Sequence, residues 1–195
     1  MAQITLKHLA VAPLTNETDG RAPTYGNGLI AGNLMQANIN WNRGNTRLDG
    51  DDKMVLRDNS PTSGTLTIGT TYLSRAAKLM MLNMEQDSAG SGSQTEYGVT
   101  GDPAPFVGVG YVWKDALDTE TPFKAYWYYK VQFSLNEEMN THGENTEYGT
   151  PSLEGEVMIV RPAADLHTRM RKEADFATEA AAIAWVDALA NIQNA

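Results

Sequence analysis

The sequence predicts a mainly β protein with some helix (α+β), an antiparallel β-sandwich or barrel of about seven strands with one flanking helix and a C-terminal helix. Three observations predict this fold. Apolar and polar residues alternate with the period of a β-strand in seven segments. The period changes to that of a helix only over 74–84 and 179–192. Strands and helices do not alternate regularly, which argues against a parallel α/β sheet.

The N-terminal part of the chain carries four predicted strands and the first predicted helix. The strands span 4–14, 28–41, 53–57 and 64–72. Alternation slips near 8–10, which indicates a β-bulge in the first strand. In the second strand, alternation places on one face the side chains of Met35, Ala37, Ile39 and Trp41. Ser74 is a suitable N-cap for the helix, and we interpret the methionine stripe of that helix as a face packed on the sheet.

The C-terminal part carries three predicted strands and the last helix. In chain order we expect a loop over 85–105, strands over 106–113, 124–135 and 152–160, and a connector over 163–175. The most regular alternation predicts a core face of Trp127, Tyr129, Val131, Phe133 and Leu135. Gly108 and Gly110 share one face, where another backbone can approach closely. Thr178 is a suitable cap for the final helix.

Length and composition predict one domain with an ordinary core. The chain has 195 residues, of which 42% are hydrophobic and 20% charged. We expect a single domain over 1–195, with 163–195 as a helical C-terminal extension. No apolar run approaches the roughly 18 residues that span a bilayer, so we expect no membrane span. The first residues lack the pattern of a secretory leader, and the absence of cysteine excludes disulfide scaffolds and thiolate metal sites.

The charge is acidic and unevenly distributed. The net charge is −9, from 24 acidic and 15 basic residues. Residues 83–156 hold 13 of the acidic and three of the basic residues, a net of −10, so the rest of the chain has a net of +1. Such a chain does not suit binding of duplex DNA through its phosphates, which requires clustered lysine and arginine. The acidic segment indicates either a solvated surface or one that repels an anion.

No catalytic or metal-binding motif is present. His8, His142 and His167 lie far apart and lack the spacing of metal ligands. The sequence contains no nucleophile elbow, no phosphate-binding loop and no complete dinucleotide fingerprint. The acidic run over 49–52 does not continue as a calcium-binding loop. We therefore expect no catalytic residue, no metal and no cofactor, and a protein that is not an enzyme.

Several segments, taken in order, carry a resemblance to a known family. They are Ile4-Thr5-Leu6-Lys7-His8 at the start, Leu48-Asp49-Gly50-Asp51-Asp52, Asp102-Pro103-Ala104-Pro105-Phe106-Val107-Gly108, Tyr126-Trp127-Tyr128-Tyr129-Lys130 and Thr150-Pro151-Ser152-Leu153-Glu154. Their order along 1–160 resembles that in the major tail tube proteins of long-tailed, non-contractile bacteriophages. Some relatives in that family carry an additional immunoglobulin-like domain, which we do not expect within these 195 residues.

The resemblance implies a structural function in a virion. Proteins of that family form six-fold rings that stack into a hollow tube, and the sheet of each subunit joins those of its neighbours. The implied partners are other copies of the chain, a tape-measure protein, a tail terminator and distal tail or baseplate proteins. DNA passes through such a tube transiently, and an acidic wall would keep it from adhering. The implied location is the virion tail, after assembly in the host cytoplasm, with no membrane partner.

Two surfaces are expected to serve that assembly. The polar faces of the late strands, with Glu154, Glu156, Lys130 and Gln132, are expected to face the lumen of the tube. The alternative is that the glutamates face bulk solvent. The segment over 42–63 is expected to mediate stacking between rings, through Arg43, Arg47, Asp49 and Asp51. Its mixed charges suit complementary contacts, although an ordinary hairpin is equally compatible with them.

Three other functions fit parts of the sequence. A sugar-binding β-sandwich would use Tyr126, Trp127 and Tyr128 as an aromatic platform. A small hydrolase would use the acidic pairs Glu137-Glu138 or Glu154 and Glu156, placed close together in a pocket. The inner tube of a contractile tail or injection machine is the third, and the sequence separates it poorly from a flexible tail.

Overall fold

A computed structural model describes residues 3–44, 46–50, 53–82, 84–87, 94–97, 103–137 and 152–193. Within these residues the chain forms twelve β-strands and two α-helices. The strands are β1 (Gln3–Asn16), β2 (Thr24–Tyr25), β3 (Leu29–Arg43), β4 (Thr46–Gly50), β5 (Lys53–Asp58), β6 (Pro61–Leu73), β7 (Met84–Asp87), β8 (Gln94–Tyr97), β9 (Phe106–Asp115), β10 (Phe123–Glu137), β11 (Ser152–Val157) and β12 (Arg171–Phe176). The helices are α1 (Arg75–Met81) and α2 (Glu179–Leu189).

Six of the strands close into an antiparallel barrel. The order around it is β1, β3, β6, β11, β10 and β9, and the β9–β1 ladder closes the ring. β12 is added beside the first half of β10, and β2 pairs with the end of β1. The mainly β, antiparallel fold with a flanking helix and a C-terminal helix is thereby confirmed.

Two short hairpins lie outside the barrel. β4 pairs with β5, and β7 pairs with β8. The second hairpin corrects the prediction of a loop over 85–105, because β7 and β8 both lie largely within that range. Their sequences, Met-Glu-Gln-Asp and Gln-Thr-Glu-Tyr, are mostly polar. Strands of this composition have no apolar alternation by which the sequence could reveal them.

The expected bulge in β1 is confirmed and is centred on His8. The pairing with β9 shifts between Lys7 and Ala10, and His8 has a φ of 61°, in the left-handed region that non-glycine residues adopt uncommonly. The turn of the backbone directs the His8 ring toward α2, where Nε2 lies 2.6 Å from Asp187 Oδ1. Lys7 reaches Glu179 on the same helix, with 3.0 Å between Nζ and Oε1. These two contacts from the bulge therefore hold α2 against the barrel.

Irregular pairing in β3 corrects the predicted core face of that strand. Ala37, Ile39 and Trp41 are half-buried on the core side, as expected, but Met35 is 55% exposed. The register with β6 shifts on both sides of Leu34, so Leu34 turns into the core in place of Met35. A bulge exchanges the two faces of a strand beyond it, which strict alternation does not anticipate.

β10 has two buried faces instead of the one that was predicted. Its register with β9 shifts between Tyr128 and Val131. Before the shift, Trp127 packs in a core beneath α2, whereas Tyr128 packs inside the barrel. After it, Val131 and Phe133 also point into the barrel. The prediction that Trp127 and Val131 share one core face is therefore wrong.

Glycines in β9 make room for aromatic rings. A Cβ atom on Gly108 would lie 2.5 Å from atoms of both Trp127 and Tyr25, and one on Gly110 would lie 2.6 Å from Trp127 and 2.8 Å from Val186. We expected another backbone to approach closely at these glycines, but most of the atoms that do so belong to side chains. The absence of side chains at these two positions leaves room for the indole of Trp127 beneath α2.

The segment over 163–195 is built into the fold. It contains α2, which begins after the predicted cap Thr178, whose hydroxyl accepts a hydrogen bond from the Ala181 amide. It also contains β12, where a connector was predicted, so the segment adds a strand to the sheet as well as a helix. Ala182 and Val186 of α2 are buried against the sheet. In the described part of the chain, no helix is long and apolar enough to span a membrane.

Candidate functional site

Half of the barrel wall presents two chemically opposite faces. It consists of β3, β6, β11 and the second half of β10, and its inner face is made of apolar rows. One such row is Ile39, Leu66, Gly155 and Phe133, in register across the four strands. Leu66 is fully buried and Phe133 nearly so. This face belongs to the main core.

The outer face of the same four strands consists of polar rows. Two rows run across it, Asn40–Thr65–Glu156–Gln132 and Asn38–Thr67–Glu154–Ser134. Their side chains are exposed or half-buried. We call this outer face the polar face. Three of the four residues expected to face a lumen, Glu154, Glu156 and Gln132, thus lie side by side on it.

The polar residues that β3 and β6 contribute to the polar face were not among the predicted site residues. Asn38 and Asn40 of β3, and Thr65 and Thr67 of β6, complete the two rows. Their signal in the sequence is the alternation of polar with apolar residues in both strands. What the sequence could not supply is the register, which places the two strands beside β11.

The polar face is acidic because its glutamates are not neutralised. Among the described residues neither Glu154 nor Glu156 has an ion-pair partner. Lys130, the fourth expected lumen residue, is directed to Glu17, with 2.6 Å between Nζ and Oε2, and its ammonium lies 4.4 Å from the centre of the Phe106 ring. Lys130 therefore leaves the negative charge of the two glutamates uncompensated.

A shallow groove crosses the polar face. It encloses about 440 Å³ and is lined on one side by Thr65, Glu154 and Glu156 and on the other by Pro103 and Ala104. The Gln132 amide crosses it and donates a hydrogen bond of 2.7 Å to the Ala104 carbonyl. The groove is open and polar, and it offers amide, hydroxyl and carboxylate groups to whatever passes over it.

The four-stranded wall ends in two open edges. Beyond Gly32, β3 pairs with β6 on one side only, since its ladder with β1 covers just 29–32. Beyond Gln132, β10 pairs with β11 on one side only, since its ladder with β9 ends there. Within the described residues, the outer edges over 33–43 and 133–137 carry no ladder partner. Unpaired edges of this kind are templates for another strand.

The residues expected to mediate stacking lie at the far end of β3. Arg43 is the last residue of that strand and is exposed. Arg47 and Asp49 lie in β4, next to Arg43 along the chain, and the structure describes only their backbone. Asp51 lies outside the described residues. The hairpin of β4 and β5 is consistent with either a stacking element or an ordinary excursion.

A pocket beside Arg43 was not anticipated from the sequence. It has a volume of about 390 Å³ and is lined by Trp41, Arg43, Ser60, Pro61, Ile159, Thr168 and Met170. Its residues come from three distant parts of the chain, and none of them belongs to a recognisable motif. No sequence signal could therefore have assembled it.

The aromatic platform of the sugar-binding alternative does not exist. Trp127 and Tyr128 are both fully buried. The Tyr128 hydroxyl lies 3.4 Å from that of Tyr111 inside the barrel, and burial raises the pKa of Tyr111 far above its usual range. Only Tyr126 of the three is partly exposed, and the Arg171 guanidinium covers it at 4.3 Å. Tyr126, Trp127 and Tyr128 therefore do not form a stack that faces the solvent.

The acidic pairs do not form an enclosed cleft in the described residues. Glu154 and Glu156 project from one strand onto the open polar face, and Glu138 lies outside the described residues. Where the structure describes side chains, no group of three or more histidine and acidic residues is placed to hold a metal ion.

A scan against protein-family models and a search of curated proteins each gave no match to this chain.

Proposed function

We propose that the chain is the structural subunit of a hollow bacteriophage tail tube, as in long non-contractile tails. One observation carries the proposal: in the part of the chain that the structure describes, a four-stranded wall has an exposed polar face and an open edge on each side. Such a wall is a segment of a larger closed sheet. The partners in that assembly are copies of the chain, an enclosed tape-measure protein, and terminator and distal tail or baseplate proteins at the ends.

The two open edges are compatible with a ring. Strand direction alternates from β3 through β6 and β11 to β10, because every pairing is antiparallel. Rotation about a ring axis preserves the direction of each strand relative to that axis. The β10 edge of one copy therefore meets the β3 edge of the next in antiparallel orientation. The alternation continues across the interface, as it does within the wall.

The position of the core determines which face would line the tube. The barrel core and α2 lie on the apolar side of the wall. In a ring, the bulk of each subunit fits only on the outside, where the circumference is larger. The polar face, with Glu154 and Glu156, then faces the axis. Carboxylates there repel phosphate groups, so DNA moves past without binding.

Negative-stain electron microscopy of the purified protein, with its mass in solution, tests the proposal. We expect six-fold rings or hollow tubes at high concentration. Proline at successive positions over 36–40 of β3 identifies the contact, because neighbouring residues direct their amides alternately to β6 and to the open edge. Variants that lose the open-edge amide should keep the thermal stability of the monomer and lose the rings.

The other variants of the same scan are the matched control, since loss of a ladder amide should lower the stability of the monomer. A chain that stays monomeric at every concentration, even with a tail-initiation complex added, would contradict the proposal. Rings that survive every proline would show that the open edge of β3 is not the contact.

A further inference from the structure

The pocket beside Arg43 has an apolar floor that solvent can reach. The indole of Trp41 is half-buried, Ile159 is 36% exposed and Met170 lies at the back with 8% exposure. The pocket is open and has a volume of about 390 Å³. Because large apolar side chains lie at its bottom, it can receive an apolar side chain of another segment.

The rim of this pocket carries a cation that has no ion-pair partner among the described residues. This cation is the exposed Arg43, and the described residues that line the pocket include no carboxylate. The other nearby guanidinium, that of Arg171, is 5.9 Å from the Trp41 ring but is already bound by Glu173 at 2.8 Å. The pocket is therefore suited to an apolar side chain that is flanked by carboxylates.

One segment of the chain has this chemistry. Residues 138–151, which lie outside the described residues, contain three glutamates and no lysine or arginine. They also contain Met139 and Tyr148, which can serve as apolar anchors. We propose that the acidic segment 138–151 of a second copy docks in the pocket beside Arg43. The inference builds on the proposed function, because such a contact would join one ring to the next.

The geometry favours a second copy over the same chain. Glu137 pairs with Ser152, so both ends of the acidic segment start at one point of the wall. Ile159 lies seven residues further along the chain, about 23 Å away if that stretch is extended. Ser152 is level with Gly69 of β6 and Gln36 of β3, whereas the pocket residues Trp41 and Pro61 lie near the other end of the wall, at the end of β3 and the start of β6. The acidic segment and the pocket therefore lie at opposite ends of the wall, and stacking one ring on the next brings these two ends together.

Disulfide trapping tests the contact directly, because the chain has no cysteine of its own. One chain carries Thr168→Cys in the pocket wall and a second carries Asn145→Cys in the acidic segment. We expect a mixed disulfide when the two are combined and oxidised. Thr121→Cys, on a loop remote from the pocket along the sheet, replaces Thr168→Cys in the control and should give little cross-link.

Two results would overturn the proposal. One is the absence of a mixed disulfide at every concentration up to the solubility limit. The other is an intramolecular disulfide in a chain that carries both Thr168→Cys and Asn145→Cys, since the segment would then occupy its own pocket. Either result can occur while rings still form in electron microscopy, so it would leave the tube proposal intact.

Charge reversal at the rim provides the second readout. Arg43→Glu should reduce the yield of the mixed disulfide at least tenfold, and stacked tubes should give way to single rings. Arg161→Glu is the control, because Arg161 is exposed, is ion-paired with Asp19 and does not line the pocket. Equal cross-linking in both variants would overturn the role of Arg43. Cross-linking without any rings would instead support the contact and count against the tube.

Discussion

The two halves of the barrel wall use the same kind of strand for different purposes. In the half formed by β1, β9 and the start of β10, flanked by β12, a core lies on both faces, one inside the barrel and one beneath α2. In the half formed by β3, β6, β11 and the end of β10, only the inner face is packed. We call these the covered half and the open half. The comparison teaches that burial on both faces stabilises one half, while the other keeps a polar face and two edges for other molecules.

Removal of the largest side chain under α2 should have the greatest effect. Trp127 is fully buried and meets Tyr25 edge-on, with 5.1 Å between ring centres. Trp127→Ala should lower the free energy of unfolding by about 3–5 kcal/mol, measured by urea denaturation of the monomer. Asn40→Ala in the open half is the control and should change it by less than about 0.5 kcal/mol. Similar losses in both would erase the contrast between the halves.

Replacing a glycine by alanine should give a smaller difference in stability between the two halves. Gly108→Ala places a methyl group 2.5 Å from two aromatic rings, so we expect a loss of about 1–3 kcal/mol in unfolding free energy. Gly69→Ala in the open half meets its nearest atom, Gln36 Cβ, at 3.4 Å. That variant should be neutral or slightly stabilising, because glycine in a strand costs conformational entropy. Thermal melting of both monomers measures the difference, and equal destabilisation would argue against tight packing at Gly108.

The contrast between the halves also marks what the sequence could predict. Alternation located most strands, and the caps Ser74 and Thr178 located both helix starts. Alternation failed where a bulge exchanges the faces, at Leu34 in β3 and after Tyr128 in β10. It also failed for β2, β4, β7, β8 and β12, which lack apolar alternation. Local sequence carries no signal for a register shift that distant packing decides.

The candidate site was predictable to a similar degree. Glu154, Glu156 and Gln132 follow from the polar alternation of β11 and β10. Lys130 shares that alternation, yet its ammonium is taken by Glu17, which lies 113 residues away in the chain. The closure of the barrel, the open edges and the pocket beside Arg43 all depend on pairing between distant strands. No spacing within the sequence encodes them.

Lowering the pH should reduce the stabilisation of the covered half and leave that of the open half unchanged. The loop after β9 is held by Asp118, whose carboxylate accepts a hydrogen bond of 2.7 Å from Lys124, and Lys124 also reaches Asp175 of β12 at 3.1 Å. The hydrogen bond from Lys124 holds the pKa of Asp118 well below its usual range, and the Thr121 amide assists. The folded chain thus keeps this carboxylate ionised more readily than the unfolded chain does.

The resulting stabilisation is present above the ordinary aspartate pKa and fades as the pH falls from about 4 toward the folded value. Chemical denaturation of the wild type and of Asp118→Asn should therefore give a constant difference from pH 7 to pH 5. The difference should shrink below about pH 4. A difference that grows in acid would contradict the assigned role of Lys124.

Charge reversal on the polar face of the open half should have the smallest effect on stability. It should also have the largest effect on function. Glu154→Lys together with Glu156→Lys changes the net charge from −9 to −5, and neither glutamate has an ion pair to lose in the described residues. The unfolding free energy should change by less than about 0.5 kcal/mol. Glu120→Lys with Leu117→Lys and Ala177→Lys, three exposed positions without an ion pair among the described residues, reaches the same net charge on the covered half and is the matched control.

These two variants distinguish charge at the polar face from charge in general. If the polar face lines a tube, assembled tubes of the first variant should retain a labelled duplex, and the retention should fall steeply as salt rises, because phosphate contacts release counterions. Wild-type tubes and the control should let the duplex pass. Equal passage through all three would mean that Glu154 and Glu156 face bulk solvent, because charge on the outside of a tube has no strong hold on DNA within it.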